Sequence, residues 1–262
     1  MEWIVRERIP ACDNPTLVVG LYKHLQISDK PFARHFKGNI PEIAEYSQER
    51  YDFCPFANPS MKKNHRKKRE PNDPVSMAVC AALRDNFDAA VSILEDCTGL
   101  YFSAKTCVTM LTHYKGCEGY RYYGATLYNI PWFLLYAEHA LPLWGRYVRV
   151  GSPLHSTIKT NPDAVMLPTE TNGYEQIKNA PNAEFSADFR FMDFRQRLTN
   201  GVLDESILFD VSDKGHHILQ ERIPIGLTDF SDYIAAHRGK PKSFRAKRQL
   251  AVAAEFFPEP QN

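Results

Sequence analysis

The sequence predicts an α+β fold, with a helical middle segment at about residues 74–142 packed with short antiparallel strands from the N-terminal and C-terminal regions. Three observations carry this reading. A 3.6-residue apolar stripe runs through Val75, Ala78, Val79, Ala82, Leu83, Ala90, Val91 and Leu94. Alternating or β-branched segments bounded by turn residues lie towards both ends of the chain. The 262 residues are 44% hydrophobic and 12% aromatic, which suffices for a substantial core in one domain spanning 1–262.

Met1–Pro10 alternates Trp3 and Val5 with Glu2, Arg6 and Glu7 and reads as a strand; the β-branched start of Thr16–Leu25 reads as a second. Residues 28–60 are rich in Pro, Asn and aromatics, with helical potential at Pro41–Arg50, and a basic loop occupies 60–73. Asp73 and Pro74 open the central helix as N-cap and first helical residue; Asn86 interrupts its stripe and Gly99 ends it. Ser103 caps a second helix running to about Tyr114 and closed by Gly116. Asn129 and Pro131 start a third, Trp132–Leu141, which Pro142 kinks or ends.

Tyr147–Val150 reads as a strand. Residues 151–184 hold four prolines and little periodicity and read as a long irregular connection. Ile207–Val211 and His217–Ile223 form a hairpin across Ser212-Asp213-Lys214-Gly215. Gln220-Glu221-Arg222-Ile223-Pro224 echoes Arg6-Glu7-Arg8-Ile9-Pro10, which places both strands at sheet edges with Pro stopping them. Residues 229–237 form a short helix capped by Thr228, and Ser243–Phe257 a last helix that is basic at its start.

The composition argues for a soluble, intracellular protein, cytoplasmic or, in a eukaryote, nuclear. Met1–Pro10 is charged rather than basic and then apolar, and no apolar run approaches the ~20 residues of a membrane span. Cys12, Cys54, Cys80, Cys97, Cys107 and Cys117 are expected to be reduced and to serve as small hydrophobes. Cys107, His113 and Cys117 match no common zinc spacing, no Cys-x-x-Cys occurs, and no metal or other cofactor is expected.

The sharpest departure from average composition is the run Lys62–Arg69, where six of eight residues are Lys or Arg on a chain of formal net charge +1. Lys62, Lys63, Arg66, Lys67, Lys68 and Arg69 are the candidate contacts to a phosphate backbone, since each neutralised phosphate releases counterions. A solvated loop and an acidic protein surface are the competing readings. Arg245, Lys247 and Arg248 supply a second basic set at the start of the last helix, and Tyr120, Tyr122 and Tyr123 offer rings on which bases stack.

The expected function is therefore a non-enzymatic nucleic-acid-binding protein, with RNA or single-stranded DNA as ligand. A protein–protein interaction or assembly component (viral or bacterial) or a partner inhibitor is the alternative, and a homo-oligomer is compatible with the sequence. A third reading is an enzyme acting on nucleotides or phosphodiesters. It rests on His155-Ser156-Thr157, which resembles one half of the paired His-x-[ST] motif of 2H phosphodiesterases. That resemblance implies acid–base work on one phosphate by two such units. The sequence holds no second copy: His216 and His217 lack the following hydroxyl. It also lacks a Gly-x-Gly-x-x-Gly, a P-loop and a Gly-x-Ser-x-Gly elbow.

Overall fold

A computed structural model describes residues 5–21, 31–57, 64–199 and 202–259. About 35% of the chain is helix and 28% strand, in seven α-helices and three antiparallel sheets among the described residues, which is an α+β fold. The first sheet takes β1 (Val5–Arg8), β2 (Pro15–Val19) and β3 (Phe32–His35) in the order β1-β2-β3. A short helix α1 (Gln48–Phe53) follows, capped by the Ser47 hydroxyl, which accepts from the Arg50 amide.

The helical middle begins with α2 (Pro74–Thr98). Asp73 caps it by accepting from the Val75 and Ser76 amides at 3.0 and 3.3 Å, Pro74 occupies the first turn, and Gly99 closes it in the left-handed region at φ 72°. Asn86 leaves helical geometry and kinks the helix, while its side-chain amide donates to the Ala82 carbonyl. Val79, Leu83, Phe87, Ala90, Val91 and Leu94 are fully buried along the stripe. Burying each Val, Leu or Phe contributes ~1.5–3 kcal/mol, so this face nucleates the core. Around it lie α3 (Ala104–Gly116), a 3-10 turn at Gly119–Arg121, and α4 (Ile130–Tyr136).

The second sheet has the order β10-β9-β8-β4, from β4 (Leu141–Pro142), β8 (Asp188–Thr199), β9 (Val202–Asp213) and β10 (His216–Ile225). Phe189, Phe191, Ile207, Phe209 and Val211 face the helices. A bulge after Met192, with Asp193 at φ 49°, turns Phe194 inward against Phe133 at 4.8 Å. The third sheet, β5-β7-β6, combines β5 (Tyr147–Arg149), β6 (Ala164–Pro168) and β7 (Tyr174–Asn179), with α5 (Pro153–Lys159) in the connection. The chain closes with α6 (Asp229–His237) and α7 (Phe244–Phe256). No described helix is long and apolar enough to cross a membrane.

Several expectations change. Residues 151–184 are not irregular: they hold α5, β6 and β7, and β7 pairs with both β5 and β6, so the short strands are stabilised by pairing rather than by their own periodicity. The helix that begins at Asn129 ends at Tyr136, before Pro142, because the chain must turn there to pair Leu141 with Phe189. The helical segment expected at Pro41–Arg50 forms only at Gln48–Phe53, after a turn. The strand β8 was not anticipated. The two echoing strands, β1 and β10, do lie at sheet edges, but Pro224 sits inside β10 rather than ending it. None of the six cysteines is joined in a disulfide.

Candidate functional site

The basic run is part of the framework. Lys62 and Lys63 lie outside the described residues. From His65 to Arg69 the backbone is zipped to residues 121–124: Arg69 N–H donates to Arg121 O, Tyr123 N–H to Lys67 O and Gly124 N–H to His65 O, at 2.7, 2.9 and 3.0 Å. Gly124 permits this approach, since a Cβ there would meet His65 Cβ at 2.9 Å and Phe133 Cζ at 2.8 Å.

Arg69 is 2% exposed, and its guanidinium donates to the carbonyls of Tyr122, Tyr123 and Ala125 at 2.8–3.1 Å. Burial lowers its pKa to about 10, so it stays charged at neutral pH. Asp73 lies 3.8 Å from its Nε and also pairs with Arg50 at 3.0 Å. Lys68 pairs with Glu118, Lys67 with Glu49, and Arg66 donates to the Tyr136 carbonyl while stacking over its ring. Every described cation of the run thus has a partner within the fold, and Arg69 is out of reach of any ligand.

The tyrosines proposed for stacking are also committed. Tyr122 and Tyr123 are buried; Tyr123 stacks on Phe53 at 4.3 Å, and Tyr120 is half-buried against Phe257. Arg245 forms a bidentate pair with Glu95 and lies over the Tyr101 ring at 4.4 Å. Lys247 and Arg248 are exposed on α7.

Arg245 and Arg248 nevertheless border the most suggestive surface of the molecule. A cleft of about 540 Å³ lies between the start of α3, the β4–β5 loop and β7. Lys105 and Thr106 come from α3, Trp144 and Arg146 from the loop, and Gln176 and Lys178 from β7, where alternation buries Ile177 on the opposite face. Tyr101 forms its end wall and is shared with a second hollow of about 220 Å³ lined by Phe244, Arg245 and Arg248. The two hollows adjoin at Tyr101 and are together called the groove.

Its electrostatics are one-sided. Lys105, Arg146, Lys178, Arg248 and the Glu95-paired Arg245 line it, and among the described residues no Asp or Glu does. Trp144 is 53% exposed beneath Lys178, and Phe244 is 83% exposed. Tyr101 stacks with Tyr147 at 6.0 Å. Arg146 is anchored by donation to Pro142 O and Thr106 Oγ1, and burial lowers its pKa. The residues added to the expected Arg245 and Arg248 come from four separate segments, so no local motif announces them.

His155 meets a carboxylate, as an acid–base reading requires: its Nε2 lies 2.9 Å from Glu175. Its Nδ1 accepts from the Gly151 amide at 3.4 Å, and the ring is buried on α5. Both nitrogens are thus engaged within the fold, and neither His155 nor Glu175 lines the groove.

Of the thiols and imidazoles considered for metal binding, Cys107 points to Phe102 O, Cys117 to Tyr114 O, and His113 pairs with Glu138 at 2.6 Å. A different trio converges: Cys12, His35 and Cys54, with ligand atoms within 4.8 Å of one another. Their spacing, Cys12-x22-His35-x18-Cys54, follows no short motif, which is why the sequence did not reveal them.

No protein-family model matches the chain, and no curated protein or solved structure matches it significantly.

Proposed function

We propose that the protein binds single-stranded nucleic acid, RNA or DNA, along the groove between Phe244 and Lys178. The observation that carries this reading is a pair of hollows sharing Tyr101, lined by Lys105, Arg146, Lys178, Arg248 and the Glu95-paired Arg245 beside aromatic faces, with no described Asp or Glu in the lining. Phosphates would lie along Lys105, Arg146, Lys178 and Arg248. The positive end of α3 adds to this field, because the helix begins at the groove. Bases would stack on Trp144 and Phe244, a sequence-tolerant interaction. A duplex keeps its base faces covered, so the exposed rings favour a single strand.

Fluorescence anisotropy with labelled single strands and duplexes, over a salt series, tests the proposal. Four cations free to meet phosphate predict a log–log salt slope of about −3 for single strands. Trp144→Ala is expected to weaken binding by ~1–3 kcal/mol. Absence of binding to any single strand at about 50 mM salt, where electrostatic contact is strong, overturns it.

A further inference from the structure

We propose that Cys12, His35 and Cys54 form a zinc(II) site that clamps the first sheet to α1. This is independent of the nucleic-acid reading and rests on different residues.

The three ligands arrive from three elements. Cys12 lies in the β1–β2 turn, His35 ends β3, and Cys54 caps the C-terminus of α1. Cys12 Sγ and His35 Nε2 are 3.5 Å apart. Bond lengths of about 2.3 Å to sulfur and 2.0–2.1 Å to nitrogen, at a tetrahedral angle, place such atoms about 3.5 Å apart across zinc. All pairs among the three ligand atoms fall within 4.8 Å, so one ion can reach all of them with small side-chain adjustments.

The chemistry of the set selects the metal. Two sulfurs and an imidazole suit zinc and exclude magnesium and calcium, which take oxygen ligands. On binding, each thiol releases its proton to solvent and donates a sulfur lone pair, and neutral His35 donates through Nε2. Two thiolates balance the dication, so the buried cluster is neutral overall. That matters where Cys12 is 4% and Cys54 1% exposed. The backbone amides of Asn14 and Phe56, each two residues beyond its cysteine, hydrogen-bond to the sulfurs.

Among the described residues, the buried apolar cluster under the first sheet is Ile9, Ala11, Cys12 and Cys54, with Phe56, Ala57 and Tyr128 packed against it. α1 itself is firmly held: Phe53 stacks on Tyr123, and Arg50 pairs with Asp73. A metal joining Cys54 to Cys12 and His35 would therefore tie the sheet to the large core through α1.

The test uses the full chain, purified reduced and without chelator. Metal analysis is expected to find close to one zinc per chain. Cobalt(II) in its place should give the visible bands and thiolate charge-transfer absorption of a tetrahedral sulfur-ligated ion. Cys12→Ser and Cys54→Ser should each abolish stoichiometric zinc, while Cys80→Ser retains it. A chelator should make the segment up to residue 57 sensitive to protease while the rest resists. The proposal is overturned if the reduced native chain takes up neither zinc nor cobalt, or if Cys12 and Cys54 are isolated as a metal-free disulfide. The cobalt spectrum of the native chain needs no variant, so a misfolded cysteine mutant does not blunt the test.

Discussion

Two basic segments of this chain have opposite fates. Arg66–Arg69 is the denser in charge, yet each of its cations is engaged within the fold: its backbone is zipped to residues 121–124, Arg69 is buried on three carbonyls, and the exposed Arg66, Lys67 and Lys68 meet Tyr136, Glu49 and Glu118. Lys105, Arg146, Lys178 and Arg248 are scattered along the sequence, yet they line one groove that has no described acidic residue in its lining. Charge density along a chain therefore says little about charge offered to a ligand. What counts is which cations the fold leaves unneutralised beside exposed rings.

The contrast can be broken most decisively at Arg69. Arg69→Met would strand three carbonyls and is expected to cost ~3–5 kcal/mol in urea denaturation, as for removing one member of a buried ionic network. Lys68→Ala, at a solvent-exposed pair, should cost under ~1 kcal/mol. Equal effects would erase the distinction.

Glu205 extends the comparison to a buried charge with no cation beside it. Burial raises its pKa from 4.5 to about 7, against hydrogen bonds from Gln196 and Asn129. The folded state therefore keeps this proton to near neutrality, while the unfolded chain releases it near 4.5. Stability should fall as pH rises from about 4.5 to 7, by ~3 kcal/mol at ~1.4 kcal/mol per unit. Denaturation of Glu205→Gln across that range should show a flatter slope.

Smaller effects sharpen the groove side. Trp144→Ala should lower affinity for a single strand by ~1–3 kcal/mol without changing the melting temperature appreciably. Lys178→Ala and Arg248→Ala should each reduce the salt slope by about 0.7, whereas Lys67→Ala and Lys68→Ala should leave it unchanged. Loss of binding from the latter pair would return the basic run to the ligand.

Much of the helical middle was legible because its signals are local. Asp73, Pro74 and Gly99 bound α2, and Ser103 and Ser243 cap α3 and α7, since caps act on amides two or three residues away. The hairpin β9–β10 was legible for the same reason, its turn lying at Lys214-Gly215. By contrast β6, β7 and β8 were missed, because a strand's pairing partner supplies much of its stability. Of the candidate site, Arg245 and Arg248 were found, but Trp144, Lys105, Arg146 and Lys178 were not, and Tyr122 and Tyr123 proved buried.

The sequence by itself determined the α+β class, the central helix with its stripe broken at Asn86, and the caps, because these follow from periodicity and near-neighbour hydrogen bonds. Only the tertiary structure decided that Arg66–Arg69 is paired within the fold, that a groove with no described carboxylate in its lining forms elsewhere, and that Cys12, His35 and Cys54 meet. Each of those outcomes depends on residues far apart in the chain, and which of them become neighbours is set by packing of the whole core rather than by any local pattern.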